Sequence, residues 1–523
     1  MLKYRITISP TKGDIVEGAI EAIGSVISSI DGWLWSWPLI IVLVGTHLYM
    51  TVRTKFIQRK IGTAIKLSLT HDEEAEGNIS QFGALTTTLS ATIGTGNIVG
   101  VATAIVSGGP GAVFWMWIIG VLGIATKYAE TFIAMKYRVK DKNGDMLGGA
   151  MFALERGFKG KSWAKIVAFL FALFTALASF GIGGAVQSNS VCGIIDQYIP
   201  GVPIWAIGVA TALFVGLVIF GGIKSISRVC EKVVPFMALF YVVCCFFIIA
   251  MNGAYLIPAL KWIVVCAFSP QAMVGGGVGF AIMQAIRFGA ARGLFSNESG
   301  MGSAPLAAAN GASKNPARQS LVIMSGAFWD TVVICLMTAL TLITTILANP
   351  DLSAAYQITN TLATGGTPDA SLIAAASANN PSLGEGFTKG LVLTTTAFNQ
   401  IPVFGPLVLV VGMVLFSFTT MIGWSWYGDR VVTYLLGESA KRPYQALFLV
   451  FIVLGAIGGS AALASAVWDF ADIMNGLMVV PNVIAMWALA NVISKETQHY
   501  VYEGNLEEID TAEIPEWTRG ASL

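Results

Sequence analysis

The sequence predicts an all-α, multi-pass membrane protein. Only 12% of its 523 residues are charged and 55% are hydrophobic, whereas soluble domains carry about 25% charged residues. Stretches of about 20 apolar residues, long enough to cross a bilayer as a helix, recur along the chain. These observations exclude a soluble enzyme, a disordered chain and a fibrous protein. The net charge of +1 provides no basic field, so the expected partner is the lipid bilayer and not nucleic acid.

Eleven apolar windows are long enough to be transmembrane helices. The apolar piece at residues 254–270 is too short and is bounded by proline, so it is predicted to be an interfacial helix. The eleven spans are predicted at residues 33–52, 80–106, 111–135, 164–195, 203–221, 233–251, 272–291, 320–348, 403–427, 444–463 and 468–493.

The distribution of basic residues supports this count. With eleven spans, most of the 31 lysines and arginines fall in loops on one side of the membrane, and that side is normally the cytoplasm. We therefore predict a cell-membrane protein whose residues 1–32 are extracellular and whose acidic tail, residues 494–523, is solvated in the cytoplasm. The outer loop at residues 349–400 is predicted to be a lid or a partly helical cap.

Two predicted spans are interrupted by glycine. Span two has GTGN at residues 94–97, near its middle, and span seven has GGGVGF at residues 275–280. Each span begins a run of five, at residues 79–251 and 272–493, and the two runs have opposite topology because five is odd. Paired interruptions in two inverted halves indicate the binding site of a secondary transporter. The alternative is that these glycines only allow neighbouring helices to pack closely.

An interrupted helix offers binding groups for both charges of a zwitterion. The first half of span two would end near residues 90–93, and its free carbonyl oxygens suit a small cation. The second half would start near residues 96–98, and its free N–H groups suit a carboxylate. We therefore expect a zwitterionic substrate that moves together with a cation.

The choice of cation depends on the buried ionisable residues. Carbonyl, amide and hydroxyl oxygens suit Na⁺, whereas a proton relay would use a carboxylate. Lys127 and Glu130 are predicted to form an i,i+3 ion pair, and the role of Asp330 is open between pairing with a basic residue and gating. Asp469 and Asp472, at the end of span eleven, are expected to reach water. None of these positions lies beside a break in the sequence, which favours Na⁺.

Three motifs resemble one family of transporters. GTGN at 94–97, GGPGAVFWMW at 108–117 and GLFSNESGMGSAP at 293–305 resemble the alanine or glycine:cation symporters, also called sodium:alanine symporters, of the amino acid-polyamine-cation superfamily. The resemblance runs from about residue 30 to 490. It implies a leucine-transporter-type 5+5 inverted repeat with one extra N-terminal helix, in agreement with eleven spans. It also implies symport of alanine or glycine with Na⁺, sometimes H⁺, and no other cofactor.

The resemblance implies roles for residues of the first interruption. Gly94, Thr95 and Gly96 would meet the substrate carboxylate, and Asn97 would offer its side-chain oxygen to Na⁺ or to the substrate. A polar cap on the second half-helix is the alternative for Asn97. Gln187 of span four would line the pocket, because its amide can accept from an ammonium group and donate to a carboxylate. A helix-to-helix hydrogen bond is the alternative for Gln187.

Spans seven and nine supply the remaining implied site residues. Span nine would give two threonine hydroxyls to Na⁺ and two bulky side chains to a pocket that admits only small amino acids. The alternatives are packing for the aromatic rings and bonds to their own helix for the threonines. The implied substrate site is Gly94, Thr95, Gly96, Asn97, Gln187, Gly279, Phe280, Met421 and Trp424, and the implied Na⁺ site is Ser90, Ile93, Asn97, Thr419 and Thr420.

Other classes of function lack support in the sequence. An ion channel would need a continuous polar pore lining, and a membrane enzyme would need catalytic groups at depth. The spans have neither pattern, so no catalytic residue is assigned. GLFSNESGMGSAP is predicted to form a compact gate or a re-entrant loop. The second hypothesis within the transporter class is proton-coupled uptake of a small amino acid.

Overall fold

The computed structural model describes residues 12–70, 75–268, 278–363, 366–378, 381–387, 390–458 and 461–518. It is a helical bundle with one small antiparallel pair of strands, Val139–Lys140 and Met146–Leu147. Within the described residues, eight helices are long and apolar enough to cross a membrane, and one bent pair makes a ninth candidate. The all-α, multi-pass class is therefore confirmed. The count of eleven spans and the inverted repeat stay predictions.

The helix boundaries follow the apolar windows of the sequence. The candidate spans are Ala22–Arg53, Gly111–Lys136, Ser162–Tyr198, Gly222–Met251, Pro316–Ala348, Phe404–Leu436, Glu438–Ile457 and Ala466–Ala488, with Gln81–Thr92 and Gly96–Gly108 as the bent pair. The other helices are Ile57–Lys60, Ile61–Ser68, Ala150–Gly157, Ile204–Ile219, Gly253–Tyr255, Leu256–Phe268, Val278–Asn297, Ala304–Ala308, Pro350–Ala363, Ala370–Ser377, Pro381–Glu385, Gly390–Phe398, Ala490–Thr497 and Gln498–Tyr502.

The N-terminal helix begins earlier than the sequence predicts. Lys12–Leu34 is helical, and Trp37–Arg53 follows it after a short interruption. Pro38 lies in the first turn of the second helix, where its missing N–H costs no hydrogen bond. The described part of the segment predicted as extracellular, residues 1–32, is therefore mostly helical, and residues 22–53 form one apolar candidate span.

The long loop after residue 349 is partly helical, in agreement with one of the two predicted alternatives. It contains the helices Pro350–Ala363, Ala370–Ser377 and Gly390–Phe398. Gly390 packs directly on the second half of span two, since a Cβ there would lie 2.7 Å from the carbonyl oxygen of Val99. The helical cap is therefore attached to the broken helix.

Only the end of the glycine cluster predicted to interrupt span seven is described, and it belongs to a helix. Val278–Asn297 is one continuous helix, so Gly279 and Phe280 are helical. Residues 275–277 and the side chain of Phe280 lie outside the described part of the chain. An unwound backbone at Gly279 and Phe280 is therefore corrected to the first turn of a helix, whereas the interruption predicted at residues 275–277 stays a prediction.

An interruption is observed at residues 298–303, within GLFSNESGMGSAP. These residues are non-helical and separate the long helix from a short one. Gly289 packs against the first turn of helix Gly111–Lys136, whereas Ser299 packs against Gly123 at the middle of that helix. The loop predicted for this motif is therefore an interruption at mid-depth of the bundle.

The described part of the C-terminal segment, up to residue 518, packs on the bundle through some of its side chains and exposes others. The ring centroid of Trp517 lies 5.4 Å from that of Phe152 and 6.1 Å from that of Tyr434. Glu507 pairs with Lys314 at 2.7 Å, and this hydrogen bond lowers the pKa of Glu507. Glu507, one of the acidic residues of this segment, therefore attaches it to the basic residue Lys314 at one end of the bundle.

Removing the Trp517 ring should release this segment. Trp517→Ala should cost about 3 kcal/mol of local stability because a buried aromatic ring is lost. Limited proteolysis of the purified protein in detergent should then cleave residues 498–518 faster. Glu516→Ala, whose side chain is exposed, is the matched control, and equal cleavage rates for the two variants would contradict the packing.

Candidate substrate and cation site

Two interruptions define the candidate site. We call residues 93–95 the first break and residues 298–303 the second break. At the first break, helix Gln81–Thr92 ends and the chain turns by 55° before the helix resumes at Gly96. Ile93 has an extended backbone, with φ of −78° and ψ of 100°, and this separates the two half-helices. The predicted interruption of span two is therefore confirmed.

Asn97 closes the first break. Its Oδ1 atom accepts the N–H of Gly94 at 2.9 Å, as a side chain in the first turn of a helix does when it caps the preceding N–H. Its Nδ2 atom donates to Oδ1 of Asp330 at 2.6 Å and to Oγ of Ser296 at 3.2 Å. Asn97 thus acts as a cap and also links span two to spans seven and eight.

Asp330 lies beside the first break, which corrects the inference that no carboxylate does. Its Oδ2 atom accepts from Oγ of Ser296 at 2.9 Å and from Oγ1 of Thr331 at 2.7 Å, and the side chain is fully buried. Helix Pro316–Ala348 begins before the predicted start of span eight, so Asp330 is near the middle of that helix. Asp330 reaches the first break because of its depth in the bundle, although the two are far apart in the sequence.

Lys127 and Glu130 satisfy both ends of the second break. Nζ of Lys127 donates to the carbonyl oxygen of Asn297 at 2.8 Å, at a helix end where the dipole favours a cation. Oε2 of Glu130 accepts the N–H groups of Gly300 at 3.0 Å and Gly302 at 3.1 Å. The two charged groups are 4.0 Å apart. The predicted i,i+3 pair is therefore present, and it fixes the loop.

The two breaks meet inside the bundle. A Cβ on Gly96 would lie 3.6 Å from the ring of Phe295, and Asn97 reaches Ser296. Thr95, Gly96 and Phe295 are partly exposed, although the neighbouring residues of both breaks are buried. Thr95 and Gly96, at the start of the second half-helix, are therefore partly accessible from a space bordered by Phe295.

Gln187 and Thr420 face the first break. A Cβ on Gly94 would lie 2.8 Å from Oγ1 of Thr420 and 3.8 Å from Oε1 of Gln187. The Thr420 hydroxyl donates weakly to the carbonyl oxygen of Ile93, at 3.4 Å. Nε2 of Gln187 donates to the carbonyl oxygen of Ile182 at 3.2 Å, whereas its Oε1 is buried with no partner among the described residues. An unused buried acceptor is a group that a ligand can satisfy.

The other implied residues of span nine and of the cation site make local contacts. Thr419 donates to the carbonyl oxygen of Phe416 in its own helix at 3.0 Å. Ser90 likewise donates to the carbonyl oxygen of Thr87, at 2.7 Å. Met421 is fully buried. The structure therefore brings one of the two implied threonines, and not both, to the first break.

Trp424 lies between span four and the second break. Its Nε1 donates to Oε1 of Glu298 at 3.1 Å. It packs so closely on Gly183 that a Cβ on this glycine would lie 2.3 Å from that of Trp424. Because Trp424 is one helical turn from Thr420, it lies beside the residues that face the first break.

Three π-helical turns contain residues of this site. The turns are Gly96–Gly100, Ser179–Ala185 and Phe328–Cys335, and each lies in a different span. They contain Asn97, Gly183 and Asp330, respectively. Such turns re-aim the side chains that follow them and are frequent at functional sites.

Sequence reasoning missed Phe295, Ser296 and Glu298 as site residues. All three belong to GLFSNESGMGSAP, which was interpreted only as a gate or loop. Its run of serine, asparagine and glycine has the composition of a turn, and Gly300 and Gly302 adopt positive φ angles of 90° and 79°. That composition is the signal that could have located the second break.

A helical membrane bundle with two interruptions that meet at mid-depth has the architecture of a secondary transporter. The model of the sodium:alanine symporter family matches residues 20–512. The chain therefore belongs to the sodium:alanine symporter family, which confirms the resemblance of its motifs. Membership makes it a multi-pass membrane transporter of the class that couples an amino acid to a cation.

Individual relatives cover almost the whole chain. It is 40% identical over 479 residues to the sodium/alanine symporter AgcS of Methanococcus maripaludis, covering 91% of this chain and 97% of the relative. It is 41% identical to an uncharacterized transporter of Haemophilus influenzae, covering 94% and 99%. The crystal structure of MhsT in complex with L-phenylalanine matches with a TM-score of 0.50 and 12% identity, over 81% and 98% of the two chains. This last likeness concerns the fold, which is of the leucine-transporter type.

Asn97→Ala should destabilise the protein. The N–H of Gly94 and the carboxylate of Asp330 would each lose a buried partner, at a cost of about 2 kcal/mol. The melting temperature of the purified protein in detergent measures the loss. Asn189→Ala, which removes a single long hydrogen bond of 3.4 Å, is the control. Equal losses of melting temperature in both variants would contradict a capping role for Asn97.

Proposed function

We propose that the protein is a secondary active transporter that carries small neutral amino acids, alanine and glycine, into the cell together with Na⁺ by alternating access. The observation that supports this most is the convergence of three groups at the first break. They are the partly exposed residues Thr95 and Gly96 at the start of the second half-helix, the Oε1 of Gln187, which has no partner among the described residues, and the hydroxyl of Thr420. Membership of the sodium:alanine symporter family supports the coupling to a cation.

The substrate lies along the first break in this proposal. Its carboxylate binds the N–H groups of Thr95 and Gly96, where the positive end of the half-helix favours an anion. Its ammonium group donates to Oε1 of Gln187. Its side chain points toward Phe295 and Trp424, and this limits the site to small amino acids.

The cation binds where the first half-helix ends. The carbonyl oxygen of Ile93 and the hydroxyl of Thr420 are neutral oxygen ligands, which suit Na⁺, and they lie at the negative end of the half-helix dipole. The substrate carboxylate is adjacent, so each charge reduces the cost of burying the other. This arrangement makes the binding of Na⁺ and of substrate mutually dependent.

The membrane potential supplies the driving force in the predicted orientation, with the N-terminus outside and the C-terminus in the cytoplasm. A potential of 100 mV provides about 2.3 kcal/mol for each charge moved inward. That energy alone concentrates a neutral amino acid roughly 40-fold when one Na⁺ accompanies it.

Uptake into proteoliposomes tests the function. An imposed Na⁺ gradient should drive accumulation of labelled alanine above equilibrium, and a pH gradient without Na⁺ should not. Dissipating the Na⁺ gradient with an ionophore is the control and should abolish the accumulation. If neither gradient drives accumulation, the protein is not a symporter of alanine.

Proton coupling is the second candidate, and the position of Asp330 favours it. This residue is a buried carboxylate within hydrogen-bond distance of Asn97, beside the first break. A proton-coupled transporter would accumulate alanine under the pH gradient alone. Asp330→Asn, which keeps the shape of the side chain, would then abolish that accumulation.

Single substitutions test the two binding roles. Thr420→Ala should raise the half-saturating Na⁺ concentration about tenfold, and Gln187→Ala should raise that of alanine by a similar factor, because each removes one polar contact in a buried site. Thr419→Ala is the matched comparison, since a site built by both hydroxyls would lose Na⁺ affinity in both threonine variants. Unchanged half-saturating concentrations in folded Thr420→Ala and Gln187→Ala proteins would remove these assignments.

A further inference from the structure

The contact between Glu298 and Trp424 joins the second break to the helix of span nine. The indole N–H donates to a carboxylate oxygen at 3.1 Å, and both side chains are almost fully buried. A hydrogen bond to a buried, charged acceptor is stronger than one between neutral groups. The orientation of the Trp424 ring therefore depends on a residue that lies in a different span.

Glu298 is itself rigidly supported. Its second oxygen accepts from Oγ of Ser303 at 2.6 Å, and its backbone has a positive φ of 53°. The loop that carries it is clamped on the other side by Lys127 and Glu130. The carboxylate is therefore presented to the indole from a fixed position.

Two groups pack against Trp424 on its other sides and leave its ring few alternative orientations. Gly183 has no side chain and leaves room for the Cβ of Trp424. The ring of Tyr427 lies 5.5 Å from the indole, measured between centroids. These contacts support the Cβ atom of Trp424 and the edge of its ring. The hydrogen bond to Glu298 is the directional contact that sets its rotation.

The position of Trp424 connects this contact to the substrate. Thr420 is one turn before it in span nine, and Gly183 is one turn before Gln187 in span four. The indole therefore forms a wall next to the two residues that face the first break. If the indole moved away from the first break, the space available to a substrate side chain would be longer.

We propose that Glu298 is a positioning residue that restricts the substrate to small amino acids by holding the Trp424 indole against the pocket. This proposal rests on the proposed function, since it assumes that an amino acid binds at the first break. Glu298 touches no substrate in this role and acts only through Trp424. Side chains larger than the methyl group of alanine are excluded because the held ring cannot rotate away.

Competition for uptake measures this restriction. Proteoliposomes containing the full-length protein take up labelled alanine under a fixed Na⁺ gradient, and unlabelled alanine, 2-aminobutyrate or valine competes. The readout is the ratio of the inhibition constants of valine and alanine. Glu298→Ala removes the acceptor and Trp424→Phe removes the donor, so each should lower this ratio about tenfold. The double variant should lower it no further, because the two changes remove the same contact.

Two further variants separate positioning from other effects. Glu298→Gln keeps an oxygen that accepts from the indole, so it should retain the ratio of the unsubstituted protein. Trp426→Phe is the matched aromatic control, because the indole N–H of Trp426 has no partner within the described part of the chain, and it should leave the ratio unchanged. A ratio that falls in Glu298→Gln as far as in Glu298→Ala would overturn the proposal, because the charge and not the hydrogen bond would then be required.

Two measurements separate an error in the role of Glu298 from an error in the proposed function. If the unsubstituted protein accumulates no alanine under a Na⁺ gradient, the function is wrong. If it does, and Trp424→Phe keeps the ratio of the unsubstituted protein, the role of Glu298 is wrong and the function stands. Trp424→Phe decides this even if Glu298→Ala does not fold, since it changes no residue of the second break.

Discussion

The structure depends on pairing the peptide groups that two helix breaks release at the mid-depth of a membrane protein. An unpaired N–H or carbonyl group in hydrocarbon costs several kcal/mol, so a helix can be interrupted there only where side chains supply partners. Asn97 does so at the first break, from the start of the second half-helix, and Lys127 and Glu130 do so from a neighbouring span at the second. These buried polar residues are therefore a condition for having breaks at all.

The proposed binding groups are those that this pairing leaves available. Oε1 of Gln187 has no partner among the described residues, and the carbonyl oxygen of Ile93 has only a weak contact at 3.4 Å with Thr420. The backbone at Thr95 and Gly96 is partly exposed. A site assembled in this way is small, because most polar groups near the breaks already satisfy one another. Its size limit then follows from the side chains around it and from what holds them.

The sequence predicted the first break because its cause is local. Gly94 and Gly96 lie within an apolar window, and a polar residue that can cap the next helix follows them. The second break could not be located in the same way. The cluster around Gly279 has more glycine than residues 298–303, yet the described part of it is helical. The depth of a loop is set by the residues against which it packs. Here Ser299 packs against Gly123, and these two residues are far apart in the sequence.

Buried carboxylates beside a transport site do not by themselves identify the transported ion. Two oxygens of Asp330 accept from Asn97, Ser296 and Thr331, and Glu130 similarly accepts several donors while it holds a loop. Because a carboxylate does lie beside the first break, the choice of Na⁺ depends on the oxygen ligands that are present. Coupling to a proton requires one titratable group that changes its hydrogen-bond partners during transport. Binding of Na⁺ requires several oxygen atoms that point at the same position. The end of the first half-helix, with the carbonyl oxygen of Ile93 and the hydroxyl of Thr420, favours the second arrangement.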